Sequence, residues 1–332
     1  MAKKRRRASR RKNRKKRKSN WLYIAFSVLM LFAIIIFVNE HWLHSSFIPS
    51  LSDIYQTLGI VKRPKIEVQQ DEIAVHFIDV GQADCAVIIT PDKTLLIDSG
   101  ESETASEVIR YLRDFGVERL DYIIGSHPHS DHMGGMAKIM NAFEVGEFIM
   151  PEIPDDMIPT ASFYSNMLEV IERKEITASY SENGRIIELC EGTSLEFFGP
   201  VGNVYDDLNN YSVVAKLTSG NISFLFTGDM EKDADRDLLL RWVDLHADVL
   251  KVGHHGSASS SSIEFLSRVD PQYAVISVGI DNDYGHPSEA ATKRLKALGC
   301  KILTTMMYGD IVFVTDGNTL TYASTNEIKE AA

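Results

Sequence analysis

The segment GSHPHSDHMGG, residues 125–135, brings together residue types that bind metal ions. It places three histidines and one aspartate within six residues, namely His127, His129, Asp131 and His132. Imidazole nitrogens and carboxylate oxygens are ligands that divalent zinc and manganese favour in proteins. Because the segment leaves an apolar run, DYIIGS, the side chains can converge from one loop. The spacing therefore predicts a metal site.

Two other segments end apolar runs on residues of the same kind. ISFLFTGDM reaches Asp229, and DVLKVGHHGS reaches His254 and His255. Functional groups of α/β proteins collect where the carboxyl ends of strands meet. We therefore expect these residues to lie near the histidine-rich segment.

The elements that must position these residues form an alternating pattern. Short apolar runs recur between turn residues from residue 73 onward, and PDK (91–93) and SGN (219–221) are typical of hairpin connections. Strands with helices between and outside them predict two sheets covered by helices, a four-layer αββα sandwich in the α/β class. Helices are predicted at 102–115, 161–174, 231–241, 261–268 and 288–298.

The first 38 residues differ from the rest of the chain. Residues 1–20 hold thirteen Lys and Arg and no acidic residue, whereas the other 312 residues carry 22 basic and 46 acidic residues, a balance of −24. Residues 21–38 carry no charge and are just long enough to span a ~30 Å hydrocarbon layer. A cleaved signal peptide is the alternative, but the run ends in VNEHW without a small-residue cleavage site. We expect a transmembrane signal anchor.

This pattern predicts a single-pass protein of the cell membrane. Because Lys and Arg stay on the cytoplasmic side, the N-terminus is expected inside and the rest outside the cytoplasm. Basic residues 3–18 are expected to contact anionic lipid headgroups. The remaining chain divides into a stalk at 39–72, one catalytic domain at 73–325 and a short tail at 326–332.

Several segments in this order resemble those of metallo-β-lactamase-fold hydrolases. Within that superfamily the chain is similar to the soluble domain of ComEC-type competence proteins. The resemblance implies a metallo-β-lactamase sandwich. It rests on HFIDVGQADCAVI, LLIDSG, SHPHSDHMGG, NNYSVVAKL, FLFTGDME, DVLKVGHHGS and DPQYAVISVGIDNDYGHP.

The resemblance also implies two divalent metal ions, Zn²⁺ or Mn²⁺. His127 and His129 would hold one ion, and Asp229 would bridge the two. The second ion would be held by Asp131, His132 and one of the adjacent histidines, with His254 favoured as the first off its strand and His255 still open.

The metal shell implied by the resemblance departs from the family in one place. Many members carry another histidine before the bridging aspartate, but this chain has none between His132 and His246. Asn210 and Ser212 lie where it is expected, and an Asn oxygen or a water would complete the shell. Asp98, in LLIDSG, would support the site from behind. Ser257 would bind substrate or cap the following segment, and capping is favoured.

The chemistry implied is hydrolysis of a phosphodiester by a metal-activated hydroxide. Asp131 and Asp229 would position the hydroxide, and His286 or the spare histidine would give a proton to the leaving group. The resemblance suggests a nucleic-acid substrate. The acidic balance argues against a polyanion, and Lys216 and Lys251 would offset it only in part.

Two alternatives stay open at the level of sequence. The first is a metal-poor or inactive binding module in DNA uptake or envelope function, which the missing histidine favours. The second is a hydrolase of a non-phosphate ester, thioester or lactam, because one fold supports many activities.

Overall fold

Fifteen strands build the described part of the chain, residues 63–202 and 204–326 with scattered positions between 23 and 35, in this computed structural model. In chain order they are β1 (Ile73–Phe77), β2 (Ala86–Ile89), β3 (Thr94–Ile97), β4 (Arg119–Ile124), β5 (Glu144–Met150), β6 (Thr177–Tyr180), β7 (Ile186–Cys190), β8 (Thr193–Phe197), β9 (Ala215–Ser219), β10 (Ile222–Phe226), β11 (Val249–Lys251), β12 (Tyr273–Ile276), β13 (Lys301–Thr304), β14 (Ile311–Thr315) and β15 (Leu320–Ser324).

The strands form two sheets. One has eight strands in the order β15-β14-β1-β2-β3-β4-β5-β6, and the other has seven in the order β13-β12-β11-β10-β9-β8-β7. The run β3 to β6 is parallel, and so is the run β10 to β13. The predicted hairpin connections are confirmed: β2 pairs antiparallel with β3, and β9 with β10.

Helices cover the outer faces of both sheets. They are α1 (Ala105–Asp114), α2 (Ser130–Met133), α3 (Met136–Ala142), α4 (Ser162–Lys174), α5 (Lys232–Leu240), α6 (Ile263–Val269), α7 (Glu289–Ala297) and α8 (Thr305–Tyr308). Short 3₁₀ turns occur at Asp155–Met157, Leu208–Tyr211 and Gly253–Gly256. Helix α1 follows the predicted amphipathic pattern, because it buries Ala105, Val108, Tyr111 and Leu112 on one face.

The main core lies between the two sheets. Phe77 and Phe313 from the first sheet meet Phe224 and Phe226 from the second, with ring centroids about 6 Å apart. Separate apolar clusters fill the space between each sheet and its helices. The predicted α/β fold with two helix-covered sheets is therefore confirmed.

The described part of the chain includes residues 63–72 of the predicted stalk. Arg63 donates to Asp114 at 3.1 Å and to Asp310 at 3.3 Å, so residue 63 already packs on the domain. The basic tail 1–20, the stalk up to residue 62, most of the predicted anchor 21–38 and residues 327–332 lie outside the described residues. In the part of the chain that is described, no helix has the length and apolar character needed to cross a membrane.

Candidate metal centre

Four metal-binding side chains converge at one edge of the sandwich. Asp131, His132, Asp229 and His255 each offer one atom, and these atoms all lie within 4.8 Å of one another. Asp131 Oδ2 lies 3.2 Å from His255 Nε2, and Asp229 Oδ1 lies 3.3 Å from His132 Nε2. The other oxygen of Asp229 lies 3.5 Å from His255 Nε2. Two imidazoles and two carboxylates thus face a common centre.

The strands explain why residues so distant in sequence meet. Asp131 and His132 follow β4 on α2, Asp229 follows β10, and His255 follows β11. Each residue lies just beyond the carboxyl end of a strand that belongs to a parallel run. This placement agrees with the expectation that the carboxyl ends of these strands meet at one edge.

Two atoms of the cluster indicate that an ion belongs there. His132 Nε2 and Asp229 Oδ1 are buried 3.3 Å apart without hydrogen-bond geometry between them, and neither has another hydrogen-bond partner among the described residues. Buried polar atoms in folded proteins are nearly always satisfied. Imidazole nitrogen and carboxylate oxygen are also the donors that divalent metals take. The residues present therefore fit a divalent cation.

The charges within the cluster keep its carboxylates ionised. Burial opposes the charge on Asp229, but His132 and His255 hold the pKa of this carboxyl well below its ordinary value. Burial also opposes the charge on Asp131, and the hydrogen bond with His255 lowers its pKa to about 2. Ionised carboxylates are the form that binds a metal ion.

Asp98 supports His132 from behind, as the resemblance implied. Its Oδ2 accepts from His132 Nδ1 at 2.9 Å, and its Oδ1 accepts from the Ser126 backbone N–H at 2.7 Å. Because an ionised carboxylate only accepts, His132 carries a proton on Nδ1, and Nε2 is the atom that would bind a metal ion. Asp98 holds this position with a left-handed φ of 59°, which is uncommon for a residue other than glycine.

His127 and His129 lie beside the cluster but interact with each other. His127 Nε2 is 2.9 Å from His129 Nδ1, so one ring donates to the other. Burial lowers the pKa of His127 well below its ordinary value and keeps the ring neutral. Among the described residues, neither histidine belongs to a group of three or more convergent ligands.

The structure places His255 in the cluster, and not the favoured His254. Both residues have a left-handed backbone, with φ of 50° and 49°, which turns the two rings in different directions. His255 donates from Nδ1 to the Ser277 carbonyl at 2.9 Å and presents Nε2 to the centre. His254 donates from Nδ1 to Glu231 Oε1 at 2.9 Å, and its Nε2 stays 3.8 Å from Asp229.

Asn210 does not occupy the place of the expected histidine. Its Oδ1 accepts from the backbone N–H groups of Glu231 and Ala234, both at 3.2 Å, and so caps the start of α5. The neighbouring Asn209 faces the site instead, with Nδ2 3.5 Å from His254 Nδ1. Sequence could not separate the two, because they are adjacent on a 3₁₀ turn.

The two predicted serines hold loops in place. Ser212 Oγ accepts from the Asp229 backbone N–H at 2.9 Å and lies 3.4 Å from His127 Nδ1, so it fixes the Asp229 loop beside the histidines. Ser257 Oγ lies 2.8 Å from Ser259 Oγ and accepts from its backbone N–H at 3.3 Å. The favoured capping role agrees with this contact.

The lysines expected to offset the acidic surface are buried instead. Lys251 Nζ lies 2.6 Å from Asp84 Oδ2, and Lys216 Nζ lies 2.9 Å from Asp244 Oδ2. The partial compensation expected from these lysines is therefore not available to a polyanion. The sequence could have predicted this outcome, because a lysine within an apolar strand is buried with the strand and needs an oppositely charged partner.

Sequence reasoning also missed two supporting carboxylates. Asp84 Oδ1 lies 3.4 Å from His255 Nδ1. Asp84 precedes β2, and β2 is antiparallel to β3, so its start lies at the edge where Asp98 ends β3. Glu231 comes two residues after Asp229 and orients His254. In the sequence, the only sign of such a role for Asp84 and Glu231 was that both lie within the segments that carry the resemblance.

An open pocket of about 330 Å³ lies over the cluster. The residues that line it include Asp131, Asp229, His254 and His255, together with His129 and His286. Burial and the two neighbouring histidines lower the pKa of His286, and its Nδ1 has no partner among the described residues. His286 thus lines the pocket, but its lowered pKa disfavours the protonated form that a proton donor needs.

A buried set of two imidazoles and two carboxylates at the edge of a two-sheet, helix-covered sandwich is typical of a metal-binding α/β domain. The chain belongs to the Metallo-beta-lactamase superfamily, which matches residues 78–280. The resemblance seen in the sequence segments is thereby confirmed.

Two bacterial proteins are similar to this chain over most of its length. Competence protein ComA of Neisseria gonorrhoeae is 32% identical over 257 residues, which cover 77% of this chain and 34% of that protein. ComE operon protein 3 of Bacillus subtilis is 28% identical over 264 residues, covering 72% and 32%. The chain thus spans about a third of the length of these relatives.

A solved structure supports the fold. The metallo-beta-lactamase fold protein YhfI from Bacillus subtilis superimposes with a TM-score of 0.51 at 12% identity, covering 74% of this chain and 100% of that one.

Proposed function

We propose that this protein is a metal-dependent phosphodiesterase. The observation that carries the proposal is the position of Asp229, whose two oxygens face His132 and His255 from 3.3 and 3.5 Å. With Asp131, it gives the centre two carboxylates and no thiolate. Oxygen-rich sites suit the harder divalent ions that also bind phosphoryl oxygens. Lactam or thioester hydrolysis has no comparable observation in its favour.

The residues of the chain divide the work of this reaction. Asp131, His132, Asp229 and His255 hold the ion, with Asp98 and Asp84 fixing the two imidazoles. A divalent ion bound there supplies Lewis-acid stabilisation of developing charge and activates water. His254 and His286 line the pocket outside the four-residue cluster. Burial opposes the charge on His254, but its hydrogen bond to Glu231 raises its pKa, so His254 supplies the proton for the leaving oxygen. A second ion bound by His127 and His129 would raise the metal content of the reloaded chain from one ion to two.

The cellular setting is also a proposal. The relatives named for competence favour a nucleic-acid or nucleotide-like substrate, although this chain covers only a third of their length. The basic residues 3–18 and the uncharged run 21–38 favour a single-pass membrane anchor with the catalytic domain outside the cytoplasm.

The test uses the purified full chain, stripped of metal by a chelator and reloaded with Mn²⁺ or Zn²⁺. We expect metal-dependent hydrolysis of bis-p-nitrophenyl phosphate, with Asp229→Asn lowering kcat by more than ~100-fold. Asp233→Asn is the matched control, because Asp233 lies exposed on α5 and its ion pair within the described part of the chain is with Arg236. Failure of every metal to support hydrolysis, or full activity in Asp229→Asn, would refute the proposal. Elemental analysis of the same samples tests the metal-poor binding module, which predicts no bound ion.

A further inference from the structure

An exposed aromatic ring stands at the mouth of the metal-centre pocket. Tyr284 lines the same pocket as Asp131 and Asp229, yet 74% of the residue is exposed. A large ring left open to water is common on surfaces. At the mouth of a polar pocket it offers a flat apolar face within reach of whatever the pocket binds.

The ring continues a stack that starts at the metal centre. The His286 ring is close to parallel with both neighbouring rings, with its centroid 6.4 Å from His255 at 25° and 5.7 Å from Tyr284 at 22°. One face of Tyr284 therefore lies towards His286. No other ring among the described residues packs on Tyr284, and with 74% of the residue exposed its opposite face is open to a ligand. The open face of Tyr284 thus lines the same pocket as the solvent-shielded His255.

The loop that carries Tyr284 is held in position. Asn282 donates from Nδ2 to the carbonyl oxygens of Gly279 and His286, at 2.9 and 2.7 Å, and its Oδ1 accepts from the His286 backbone N–H at 2.9 Å. The side chain thus closes the loop across the tyrosine. Because this loop is fixed before any ligand arrives, a planar group that binds there loses little affinity to loop ordering.

The pocket offers no cationic side chain for a phosphate chain. Among the described residues that line it there is no Lys or Arg, and Lys251 and Lys216 are buried in ion pairs elsewhere. Binding of a long polyanion usually rests on several such contacts. Stacking of a base on an aromatic ring is a mode of binding that needs no Lys or Arg. It is insensitive to the acidic charge of the domain, because every base has an uncharged π-face.

We propose that Tyr284 is a stacking platform for a nucleobase, and that the substrate is a nucleoside phosphodiester whose base is unpaired. The proposal deepens the phosphodiesterase function proposed above and rests on it for the reaction, but not for the binding. A base inside a duplex is covered on both faces by its neighbours, so only a single-stranded end or a short diester reaches the free face of the ring.

The kinetic test compares two diesters on the full, metal-loaded chain. One is thymidylyl-3′,5′-thymidine, and the other has the same backbone with both bases replaced by hydrogen. We expect Tyr284→Ala to raise KM for the first by roughly ten-fold with kcat within about two-fold, and to leave the second unchanged. Tyr284→Phe retains the ring and should behave as wild type. Tyr180→Ala is the control, because Tyr180 is 52% exposed on β6 and does not line the pocket.

A binding measurement separates this proposal from the proposed reaction. The fluorescence of 2-aminopurine riboside monophosphate falls when its base stacks, so quenching on titration with the chain reports the platform without turnover. Quenching by wild type and Tyr284→Phe but not by Tyr284→Ala supports the platform, even if no diester is hydrolysed. Equal quenching by Tyr284→Ala, or hydrolysis of both diesters with KM unaffected by that substitution, overturns the platform and leaves the phosphodiesterase standing. Absence of both quenching and hydrolysis overturns both.

Discussion

Lys251 and Asp84 form a buried ion pair directly behind the metal centre, with Nζ 2.6 Å from Oδ2 and both side chains about 95% shielded from water. Burial opposes the charge on Asp84, but Lys251 and His255 hold the pKa of its carboxyl well below its ordinary value. Asp84 also contacts His255. The ion pair therefore links Lys251, on β11 of the second sheet, through Asp84 to the predicted metal ligand His255.

Removing one partner of this pair should be costly. Lys251→Met leaves the Asp84 carboxylate buried and uncompensated, and we expect the free energy of unfolding to fall by about 3–5 kcal/mol. Urea unfolding of the metal-free full chain measures this. Lys251→Met combined with Asp84→Asn removes the stranded charge and should recover at least half of the loss.

Lys216→Met is the comparison for that experiment. Its partner Asp244 is 79% exposed at the side chain, so water can solvate the remaining carboxylate. We expect a loss below ~1 kcal/mol. Similar losses in the two single variants would contradict the argument that burial decides the cost.

The adjacent histidines should differ in what they do. His255→Ala removes an imidazole of the four-residue cluster, so we expect metal affinity to fall by more than ~100-fold. His254→Ala should keep the metal content of wild type and lose activity, because His254 pairs with Glu231 outside the cluster. Elemental analysis of chains equilibrated with limiting Zn²⁺ or Mn²⁺ distinguishes them. Retention of metal by His255→Ala with loss in His254→Ala would reverse the assignment.

Gly228 should not tolerate a side chain. Its φ is +49°, and an added Cβ would lie 2.9 Å from both Ser126 Cβ and Ser212 Oγ, beside the loop that carries Asp229. We expect Gly228→Ala to lower the free energy of unfolding by about 2–4 kcal/mol, from backbone strain and crowding together, and to weaken metal binding. Gly184→Ala is the matched control. Gly184 also has a positive φ, of +82°, but open space around it, so only ~1–2 kcal/mol is expected.

The parts of this structure that sequence predicts well are those that depend on local patterning. Helix α1 and the two hairpins follow from apolar spacing and turn residues, and the histidine-rich segment follows from ligand types in one loop. The choice between His254 and His255 could not be predicted, because it depends on two left-handed φ values and on the partners Glu231 and Ser277.

The same reason explains the misplaced polar residues. Asn209 and Asn210 are chemically identical, and only the 3₁₀ turn decides which one caps α5 and which one faces the pocket. Lys251 was expected to offset part of the acidic balance, because sequence shows its charge but not its partner. Asp84, which lies 167 residues earlier, becomes that partner only when the two sheets pack together.

Asp235 provides a pH-dependent test that lies away from the metal ligands. This side chain is fully buried on α5, where its Oδ2 accepts from the Ser262 backbone N–H at 2.8 Å and its Oδ1 has no partner among the described residues. Burial raises the pKa of Asp235 to about 6, against an ordinary value of 3.8. The folded state therefore binds the proton more tightly than the unfolded state, and the contribution of Asp235 to stability falls as pH rises from about 4 through 6.

Asp235→Asn should remove that dependence, because the amide oxygen still accepts from Ser262 and carries no charge at any pH. The separation between the two pKa values corresponds to at most ~3 kcal/mol, so we expect the variant to be about 1–3 kcal/mol more stable than wild type at pH 8 and nearly equal to it at pH 4. Urea unfolding at pH 4, 6 and 8 measures the difference. Asp233→Asn, exposed on the same helix, should differ from wild type by less than ~0.5 kcal/mol throughout. The opposite result would be a stability difference from wild type that is smaller at pH 8 than at pH 4. That result would contradict the prediction, because the surroundings would then stabilise the carboxylate by more than its burial costs.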